Sequence, residues 1–567
     1  MHYLSEQHIL LFLVQVFILL LLTRGLGELF RQRNQPPLTA ELLVGVILGP
    51  TVLGRCAPSV HGMLFPTDLV QQTMLETVSW IGVLFLLLAT GLEIDFSIAW
   101  RQRGSALVIA LSDIVIPMAL AFIPALLLPA KYLVDVDQRL IFACFMATAM
   151  TISAMPVSAR ILHDFDILRA DLGLLIMSAL AVNDTLGWVV FTIVLGLFTQ
   201  ATHTAGSVLV ILAGTIGVCV AALTFGRRLS TAVLGTLQRR GFPEPGTSLT
   251  FACILGLFLG ALTQGLGIHA LFGFFIAGIV MGESRALSQE TRITIEQMVH
   301  AIFVPLFFAN IGLKIDFAAN FDLGLVLLVT SIGIAGRYAG AWIGATLARV
   351  RRRDRDVISI AHTPGGMMEI VVALLALETG LITAPVFVAI ALGALGSSVI
   401  LGPWMHRALK RRAPVCVADY IHPASVVAHV RAATRLGVIE ELLAKAGDRL
   451  GDAARASVLA AMAHREADFS TALAHGLAVP HVRVEGLREP VLMFGRSVGG
   501  IDWDAPDGHP THYVFLIVSP ADLNDVHLQL LAAIAKGMRK SETRAAIDAA
   551  MDEQALWKGL SEGFCTA

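Results

Sequence analysis

Charged residues are scarce in this chain. Only 15% of its 567 residues are Asp, Glu, Lys or Arg, and 56% are hydrophobic, whereas soluble domains carry about 25% charged residues. The charges are also unevenly distributed: residues 1–405 form nearly continuous apolar blocks, and the chain after Arg407 becomes rich in Ala, Arg, Asp and Glu. The composition excludes a single soluble domain and indicates a polytopic membrane region followed by a soluble tail.

Cysteine pairs and a cleavable leader are missing as well. The six cysteines are scattered without the spacing of a zinc site or a redox pair, so we expect no disulfide framework and no cofactor. The first apolar block, residues 9–22, lacks a basic leader before it and an Ala-x-Ala site after it. We interpret it as the first membrane span rather than a signal peptide.

Apolar segments predict an α-helical membrane domain with about 13 transmembrane helices. Two of the segments, 268–283 and 299–313, are short and Gly-rich. The thirteen segments are 8–24, 38–54, 74–92, 104–129, 138–161, 171–199, 206–226, 247–265, 268–283, 299–313, 322–348, 356–378 and 383–406.

Loop charges predict the orientation of these spans. If the loops alternate sides, one side receives 22 Arg and Lys residues, and the other receives only Arg55, Lys131, Arg139 and Lys314. Basic loops stay in the cytoplasm. We therefore expect a multi-pass protein of the cell inner (cytoplasmic) membrane, with its N-terminus outside and its C-terminal tail in the cytoplasm.

Two pairs of related segments predict inverted repeats. Gly-Leu-Glu-Ile-Asp-Phe at 91–96 closes the third span, and Gly-Leu-Lys-Ile-Asp-Phe at 312–317 closes the tenth. The segments lie seven spans apart and therefore run in opposite directions. Helix-breaking residues interrupt the fifth span at 148–156 and the twelfth at 362–366. Breaks at matching positions of two inverted halves indicate a transport site near the membrane midplane.

Asp184 is the central candidate for that site. It lies near the middle of an apolar stretch that spans 172–195, and an acid within a membrane span usually marks an ion or proton pathway. Monovalent metal ions prefer oxygen ligands, so we predict that Asp184 binds Na⁺ or K⁺ together with Asn183, Thr151, Ser153 and backbone carbonyls of the breaks. Burial favours the protonated acid and a nearby cation favours the charged form, so one group can exchange a proton for a metal ion.

Arg337 is the second costly residue, because it lies within the eleventh span and needs an acidic partner. Asp113 is the preferred partner, since the repeat offset of 221 residues places its equivalent at position 334, close to Arg337. Glu369 in the twelfth span is the alternative. We expect the pair to be a structural ion pair where the helices cross.

These motifs together resemble the monovalent cation:proton antiporter superfamily, second subgroup, which includes the plant cation/H⁺ exchangers. The resemblance covers roughly residues 8–407. It rests on five segments: Ala154–Leu162, Ala181–Asp184, Gly267–Gly278, Pro305–Phe308 with Gly312-Leu313, and Thr363–Glu369.

The resemblance implies an NhaA-like antiporter fold with two discontinuous, crossing helices. It also implies a homodimer, a mobile core and elevator-type cation:proton exchange in pH homeostasis. By this resemblance, electrogenic members of the superfamily carry an Asp-Asp pair and a lysine, whereas this chain has Asn183-Asp184 and Arg337 at the matching positions. An arginine side chain keeps its proton, so we predict electroneutral exchange.

The tail predicts a second domain. After a linker at 408–422, residues 423–567 have the helical and apolar pattern of an α/β domain, with predicted helices at 426–447 and 527–539 and strands at 491–495 and 513–518.

Motifs of the tail resemble the cytoplasmic EIIA domain of the fructose, mannitol and nitrogen-related phosphotransferase systems. They are His464–Glu466, Gly476–His481, Gly500–Trp503, Asp507-Gly508 and His527–Ala532. The resemblance implies that His481 accepts a phosphoryl group from a phosphocarrier protein, and that His527 and Arg465 surround that group.

The sequence is compatible with three functions. The leading one is a secondary transporter that exchanges Na⁺ or K⁺ for H⁺ under the control of the EIIA-like domain, and it is not an enzyme in its membrane part. A Na⁺-coupled symporter of a small anion is an alternative on the same scaffold. A phosphotransferase-type sugar permease is the third, and the paired breaks and the Asn-Asp motif argue against it. Ions, protons, lipid and a phosphocarrier are the expected partners, with no nucleic acid.

Overall fold

The computed structural model divides the chain into two compact units, Met1–Lys410 and Arg411–Ala567. Asp95 and Phe96 of the first hexapeptide and residues 412–416 of the predicted linker lie outside the described residues. The same holds for six of the 22 basic residues used to predict the orientation: Arg33, Arg101, Arg103, Arg169, Arg285 and Arg412. The structure describes residues 4–32, 37–94, 104–168, 170–199, 205–284, 286–411, 417–468, 470–484, 487, 489–520 and 524–565.

The first unit is α-helical throughout its described part, with single 3-10 or π turns at 130–132, 222–226 and 299–303. Its helices are α1 (Glu6–Gln32), α2 (Pro37–Leu48), α3 (Leu53–Cys56), α4 (Pro58–Leu64), α5 (Leu69–Glu93), α6 (Ser105–Leu126), α7 (Arg139–Ala149), α8 (Met155–Asp164), α9 (Asp171–Thr199), α10 (Ala205–Ala221), α11 (Arg227–Arg239), α12 (Gly246–Gly265), α13 (Ala270–Gly282), α14 (Gln289–Met298), α15 (Val304–Lys314), α16 (Leu323–Leu347), α17 (Arg352–Ala361), α18 (Met367–Glu378) and α19 (Ala384–Arg411).

Ten helical stretches among the described residues are long and apolar enough to cross a membrane, and two shorter apolar helices are α7 and α13. All thirteen predicted apolar segments coincide with a helix or with a pair of short helices. This confirms a polytopic α-helical membrane domain, and the number of crossings and the inverted repeats stay predictions.

The helices pack into two bundles. One bundle, the core bundle, contains α6, α7, α8, α9, α16, α17 and α18; the other, the panel bundle, contains α1, α2, α5, α12, α13 and α15. In the core bundle α16 lies directly on α6, because a Cβ at Gly340 would lie 2.9 Å from the Cα of Asp113. This close approach brings Asp113 and Arg337 into the same part of the bundle.

Both predicted helix breaks are present. Helix α7 ends at Ala149 and α8 begins at Met155, and α17 ends at Ala361 while α18 begins at Met367. Pro156 stands in the first turn of α8, where a residue without a backbone N–H is tolerated. Each break therefore leaves a short extended segment between two half-helices.

The second unit is an α/β domain with a mixed six-stranded sheet. Its elements are β1 (Ile421–Val427), α20 (Arg435–Ala444), α21 (Asp452–Asp468), β2 (Ala472–Leu473), β3 (Leu477–Ala478), β4 (His481–Val484), β5 (Val491–Ile501), β6 (Thr511–Pro520), α22 (Asn524–Arg539), α23 (Ser541–Ala549) and α24 (Glu553–Cys565). Strand order is β1-β5-β6-β3-β2, and β4 pairs in parallel with β6 beyond the end of β3. Strands β5 and β6 are antiparallel, and buried apolar side chains of the sheet form clusters with the helices on both faces.

The start of this domain differs from the sequence prediction. The predicted helix at 426–447 is wrong in its first part, since β1 continues to Val427 and α20 begins only at Arg435. The predicted linker ran to residue 422, but Val417 and Ile421 are buried in the domain core. Apolar packing therefore begins the folded tail a few residues earlier than its composition indicated.

Candidate functional site

The two helix breaks cross and hydrogen-bond to each other. The backbone N–H of Ala154 in the first break donates to the carbonyl of Pro364 in the second, at 2.8 Å. Ser153 Oγ donates to the carbonyl of His362 at 3.1 Å, and Ser158 Oγ donates to the carbonyl of Ala361 at 2.5 Å. Each break thus supplies partners for the backbone groups that the other one frees, as a membrane interior requires.

Two serines of α19 hold the second break from its other side. Ser397 Oγ accepts a hydrogen bond from the N–H of Gly365 at 2.9 Å, and Ser398 Oγ donates to the carbonyl of Gly365 at 2.6 Å. Neither serine was predicted as a site residue, because the only signal in the sequence is a pair of adjacent hydroxyl side chains within an apolar span.

Glycine is required at the centre of the crossing. A Cβ at Gly366 would lie 2.4 Å from the Cβ of Ala154, which is far inside van der Waals contact. The two extended segments can therefore touch only because residue 366 has no side chain.

Asn183 and Ser153 converge on Asp113. Asn183 Nδ2 donates to Asp113 Oδ2 at 3.0 Å, and Ser153 Oγ lies 3.4 Å from the same oxygen. Since the amide nitrogen of Asn183 faces the carboxylate, its Oδ1 points away. That Oδ1 and the Oδ1 of Asp113 are both buried, and neither has a hydrogen-bond partner in the part of the chain that the structure describes.

Asp184 is the most isolated acid of the site. Its side chain is 1% exposed, and neither carboxylate oxygen has a hydrogen-bond partner within the described part of the chain. It lies within electrostatic range of Asp113 in the core bundle and of Glu93 at the end of α5. A buried carboxylate without donors needs a proton or a bound cation, so this arrangement can hold either.

Thr151 and His362 present further unused lone pairs in the breaks. Thr151 Oγ1 donates to the carbonyl of Thr148 at 2.7 Å, which leaves its oxygen lone pairs available. His362 Nδ1 lies 2.9 Å from the carbonyl of Ile358 and therefore carries the hydrogen, and its buried Nε2 has no partner among the described residues. Both side chains are buried, with 1% and 0% exposure.

Arg337 forms its ion pair with Glu369, and this corrects the preferred assignment to Asp113. Arg337 Nη1 lies 3.1 Å from Glu369 Oε2, and both side chains are 2% exposed. The same nitrogen donates to the carbonyl of Ile152 in the first break at 2.9 Å. Asp113 lies within electrostatic range of Arg337, but its carboxylate is engaged by Asn183 and Ser153. Arg337 thus joins α16 to both breaks, which the repeat offset could not indicate.

The tail places its three predicted site residues together. Arg465 Nη2 lies 2.8 Å from His481 Nε2, and His481 Nδ1 lies 2.8 Å from the carbonyl of Val479. A guanidinium only donates, so Nε2 must carry the lone pair and Nδ1 the hydrogen. This tautomer leaves Nε2 as the nucleophilic nitrogen of His481, with the guanidinium fork beside it.

His527 completes the cluster from α22. Its ring centroid lies 5.1 Å from that of His481, and its Nδ1 is 2.9 Å from Ser519 Oγ. Burial lowers the pKa of His481, and Arg465 beside it lowers it further. Burial, and then the charge of its neighbours, lowers the pKa of His527 to about 4. Both imidazoles are therefore neutral near pH 7, as a nucleophile requires.

Helix α21 is anchored so that Arg465 reaches this cluster. The next residue, Glu466, accepts a hydrogen bond from the indole of the buried Trp503 at 3.0 Å and another from the Thr471 hydroxyl. Strand β4 begins with His481 and pairs with β6. The helix end and the strand start are thereby held in fixed register.

Crossed, discontinuous helices around a buried acid define a secondary transporter of the broken-helix class. The chain belongs to the sodium/hydrogen exchanger family, because the family model described as "Sodium/hydrogen exchanger, transmembrane" matches residues 16–411. A second model, "Phosphoenolpyruvate-dependent sugar phosphotransferase system, EIIA 2", matches residues 419–563. Both resemblances found in the sequence are thereby confirmed.

Curated relatives match the membrane part. Cation/H(+) antiporter 17 of Arabidopsis thaliana is 29% identical over 422 residues, which are 73% of this chain and 50% of that protein. Na(+)/H(+) antiporter NhaS4 of a Synechocystis species is 28% identical over 403 residues, which are 70% of this chain and 96% of that protein. The chain thus spans about half the length of its plant relative.

A solved structure supports the same fold. The sodium proton antiporter MjNhaP1 from Methanocaldococcus jannaschii superposes with a TM-score of 0.54 at 18% identity, over 71% of this chain and 99% of that one. This likeness confirms the antiporter-type fold of the first unit.

The Arg337–Glu369 pair gives a direct test of the site. Arg337→Ala should lower the melting temperature strongly, because breaking a buried ion pair costs about 3–5 kcal/mol. Adding Glu369→Gln removes the stranded charge and should restore part of the loss, whereas adding Asp113→Asn should restore less. Thermal unfolding of the purified variants measures this ranking, and a greater rescue by Asp113→Asn would contradict the assignment.

Proposed function

We propose that this protein exchanges Na⁺ or K⁺ for H⁺ across the inner membrane. The observation that carries the proposal is the carboxylate of Asp184, which is buried in the bundle that contains the crossed breaks and has no hydrogen-bond partner among the described residues. Such an acid binds a proton and a cation alternately, and this competition is the minimum requirement of an antiporter. The names of the relatives from Arabidopsis and Synechocystis support the same class of substrate.

Oxygen ligands for the cation come from neighbouring groups in this proposal. Asn183 Oδ1 and Asp113 Oδ1 are buried and have no hydrogen-bond partner among the residues described, and Thr151 Oγ1 uses its hydrogen but not its lone pairs in the bond to Thr148. These oxygens and the carboxylate of Asp184 match the preference of hard cations for oxygen. Asn183 is oriented for this role by its hydrogen bond to Asp113.

Exchange is electroneutral in this proposal. Asp184 is the only acid of the Asn-Asp motif, and Arg337 keeps its charge and is already compensated by Glu369. Asp113 keeps one protonation state through the cycle in this proposal, because its Oδ2 accepts a hydrogen bond from Asn183 Nδ2 at 3.0 Å. One proton therefore leaves for each monovalent cation that binds.

An elevator-like movement of the core bundle is supported by the distribution of the site. Asp113, Asn183-Asp184, Arg337 and Glu369 lie on helices of the core bundle, and Thr151 lies in the break between two of them, so the complete site can move as one body past the panel bundle. The panel bundle would then form the static part of a homodimer.

Ion pairs at the helix ends support the predicted orientation. Arg55 pairs with Asp316 at 2.8 Å, and Lys131 lies 3.5 Å from Asp322. These pairs gather the few basic residues of the proposed outer face at one end of the unit. The N-terminus would lie on that side, and the tail would lie in the cytoplasm.

The tail acts as a phosphorylation-dependent regulator in this proposal. The neutral Nε2 of His481 faces the Arg465 fork, and an arginine fork binds phosphoryl oxygens well. Transfer breaks the bond between phosphorus and the nitrogen of the phosphocarrier and forms a bond from phosphorus to His481 Nε2. The modification adds about −1.5 to −2 charges to the tail.

Exchange should depend on the carboxylate of Asp184. Asp184→Asn should abolish cation-dependent proton movement, because the amide cannot exchange a proton for a cation. Reconstituted protein would be assayed with a pH dye against pulses of Na⁺, K⁺ and Li⁺, with no transportable anion added. Thr185→Ala is the matched control, since Thr185 is the next residue and its hydroxyl bonds only to its own helix. Exchange in the Asp184→Asn variant would disprove the assignment, and wild-type activity that requires an anion would favour symport.

One proton should be exchanged for each monovalent cation. Antiport by the wild-type protein in vesicles should proceed at the same rate under imposed membrane potentials of either sign, because the cycle moves no net charge. Vesicles with Asp184→Asn provide the background leak. Acceleration by one sign of potential and slowing by the other would contradict one-for-one exchange.

His481 should be the phosphorylated residue of the tail. Full-length protein incubated with labelled phosphoenolpyruvate and the upstream phosphocarriers should become labelled, and His481→Ala should abolish the label. His512→Ala is the control, because this histidine lies in the same domain and bonds to the Ser497 carbonyl. An unlabelled wild type, or label that persists in His481→Ala, would leave the tail as a binding module.

A further inference from the structure

A large cavity lies between the panel and core bundles. Its volume is about 590 Å³, and its wall includes Pro156 and Val157 of α8 together with Met367, the first residue of α18. Ser398, which bonds to the carbonyl of Gly365 in the second break, also lines it. The cavity therefore reaches the crossed breaks from one side of the membrane.

Glu41 of α2 faces this cavity from the panel bundle. Its side chain is 8% exposed, and its neighbours Leu38 and Leu42 are buried as well. Its Oε2 is buried and has no hydrogen-bond partner within the described residues. An unpaired carboxylate in such surroundings is costly, so Glu41 must bind a proton or a cation.

No group of the cavity wall forms an ion pair with Glu41 in the described part of the chain. The titratable residues that face the cavity are Arg160 and Asp164 on α8, His300 in the π turn before α15, and His406 on α19. His300 bonds to the carbonyl of Glu296 at 3.0 Å, and His406 stacks on Phe165 with ring centroids 5.8 Å apart. The carboxylate of Glu41 is thus left to a ligand from the cavity water.

We propose that Glu41 is a second, protonatable binding site for the transported monovalent cation. The inference rests on the proposed function for the identity of that cation. A cation that enters the cavity binds the carboxylate of Glu41, and the proton that leaves its oxygen passes to cavity water, so the charge of the side chain and its ligand is unchanged. The cation then passes on to Asp184. Because Glu41 belongs to the panel bundle, it loads the carrier without adding to the stoichiometry.

Proton release on cation binding tests this directly. Purified full-length protein in weakly buffered detergent solution would receive NaCl or KCl, with choline chloride at equal ionic strength as the reference, and a pH dye would record released protons. Wild type should release the most. Asp184→Asn should still release protons from Glu41, and the double variant Asp184→Asn with Glu41→Gln should release none.

Two further variants separate binding from a structural role. Glu41→Asp in the Asp184→Asn background should retain release, because it keeps a carboxylate in the cavity. Asp164→Asn in the same background removes an exposed acid of the same cavity and should change nothing. In vesicles, Glu41→Gln alone should raise the cation concentration that gives half-maximal exchange and leave the maximal rate nearly unchanged.

The outcomes are distinct. Complete loss of proton release in Asp184→Asn alone, or undiminished release in the double variant, would overturn the role of Glu41 and leave the proposed function intact. Absence of cation-specific release from the wild type would overturn both. If the double variant unfolds, unchanged half-maximal concentrations in Glu41→Gln would overturn the proposal.

Discussion

The hydrogen bond from Ala154 N–H to the Pro364 carbonyl, with its neighbours, supports the rest of the membrane domain. A membrane interior offers no water to the backbone groups that a helix break exposes. Here the two breaks satisfy each other, with help from Ser398 and from Arg337, which reaches the carbonyl of Ile152. Because the exposed backbone groups find partners in this way, none of the described backbone N–H groups donates to the carboxylate of Asp184. The proposed function assigns that carboxylate to an ion.

The proposed function assigns structure and transport to different acids. Glu369 compensates Arg337, and that pair ties α16 and α18 to the first break. Asp113 orients Asn183 through its amide nitrogen. Among these three acids of the core bundle, Asp184 has no hydrogen-bond donor within the described part of the chain. Under the proposed function, removal of Arg337 should therefore act on folding and removal of Asp184 on exchange, and the two effects can be measured separately.

The sequence indicated the breaks and the key acid because each carries a local signal. Pro156 and the Pro364–Gly366 segment interrupt apolar spans, and Asp184 is a carboxylate within one. The partner of Arg337 carried no such signal, since both Asp113 and Glu369 lie in apolar spans. The side-chain contacts of the folded bundle decide between them, since Arg337 reaches Glu369 and Asn183 donates to Asp113. In the tail, the motif around His481 was recognisable, but β1 was missed because the short apolar run at its end, Val426–Ala428, continues without a turn signal into the residues before α20.

The division into two bundles gives different consequences to two buried acids. Asp184 lies in the bundle that contains the whole crossing, so an ion bound to it would travel with that bundle in the proposed elevator-like movement. Glu41 lies on α2, which packs against α15 in the other bundle. An acid that does not move cannot carry charge across the membrane, but it can hold a cation at the mouth of the site and release a proton there. Stoichiometry would then depend on the residues of the moving bundle alone, while apparent affinity and its dependence on pH would depend on both bundles.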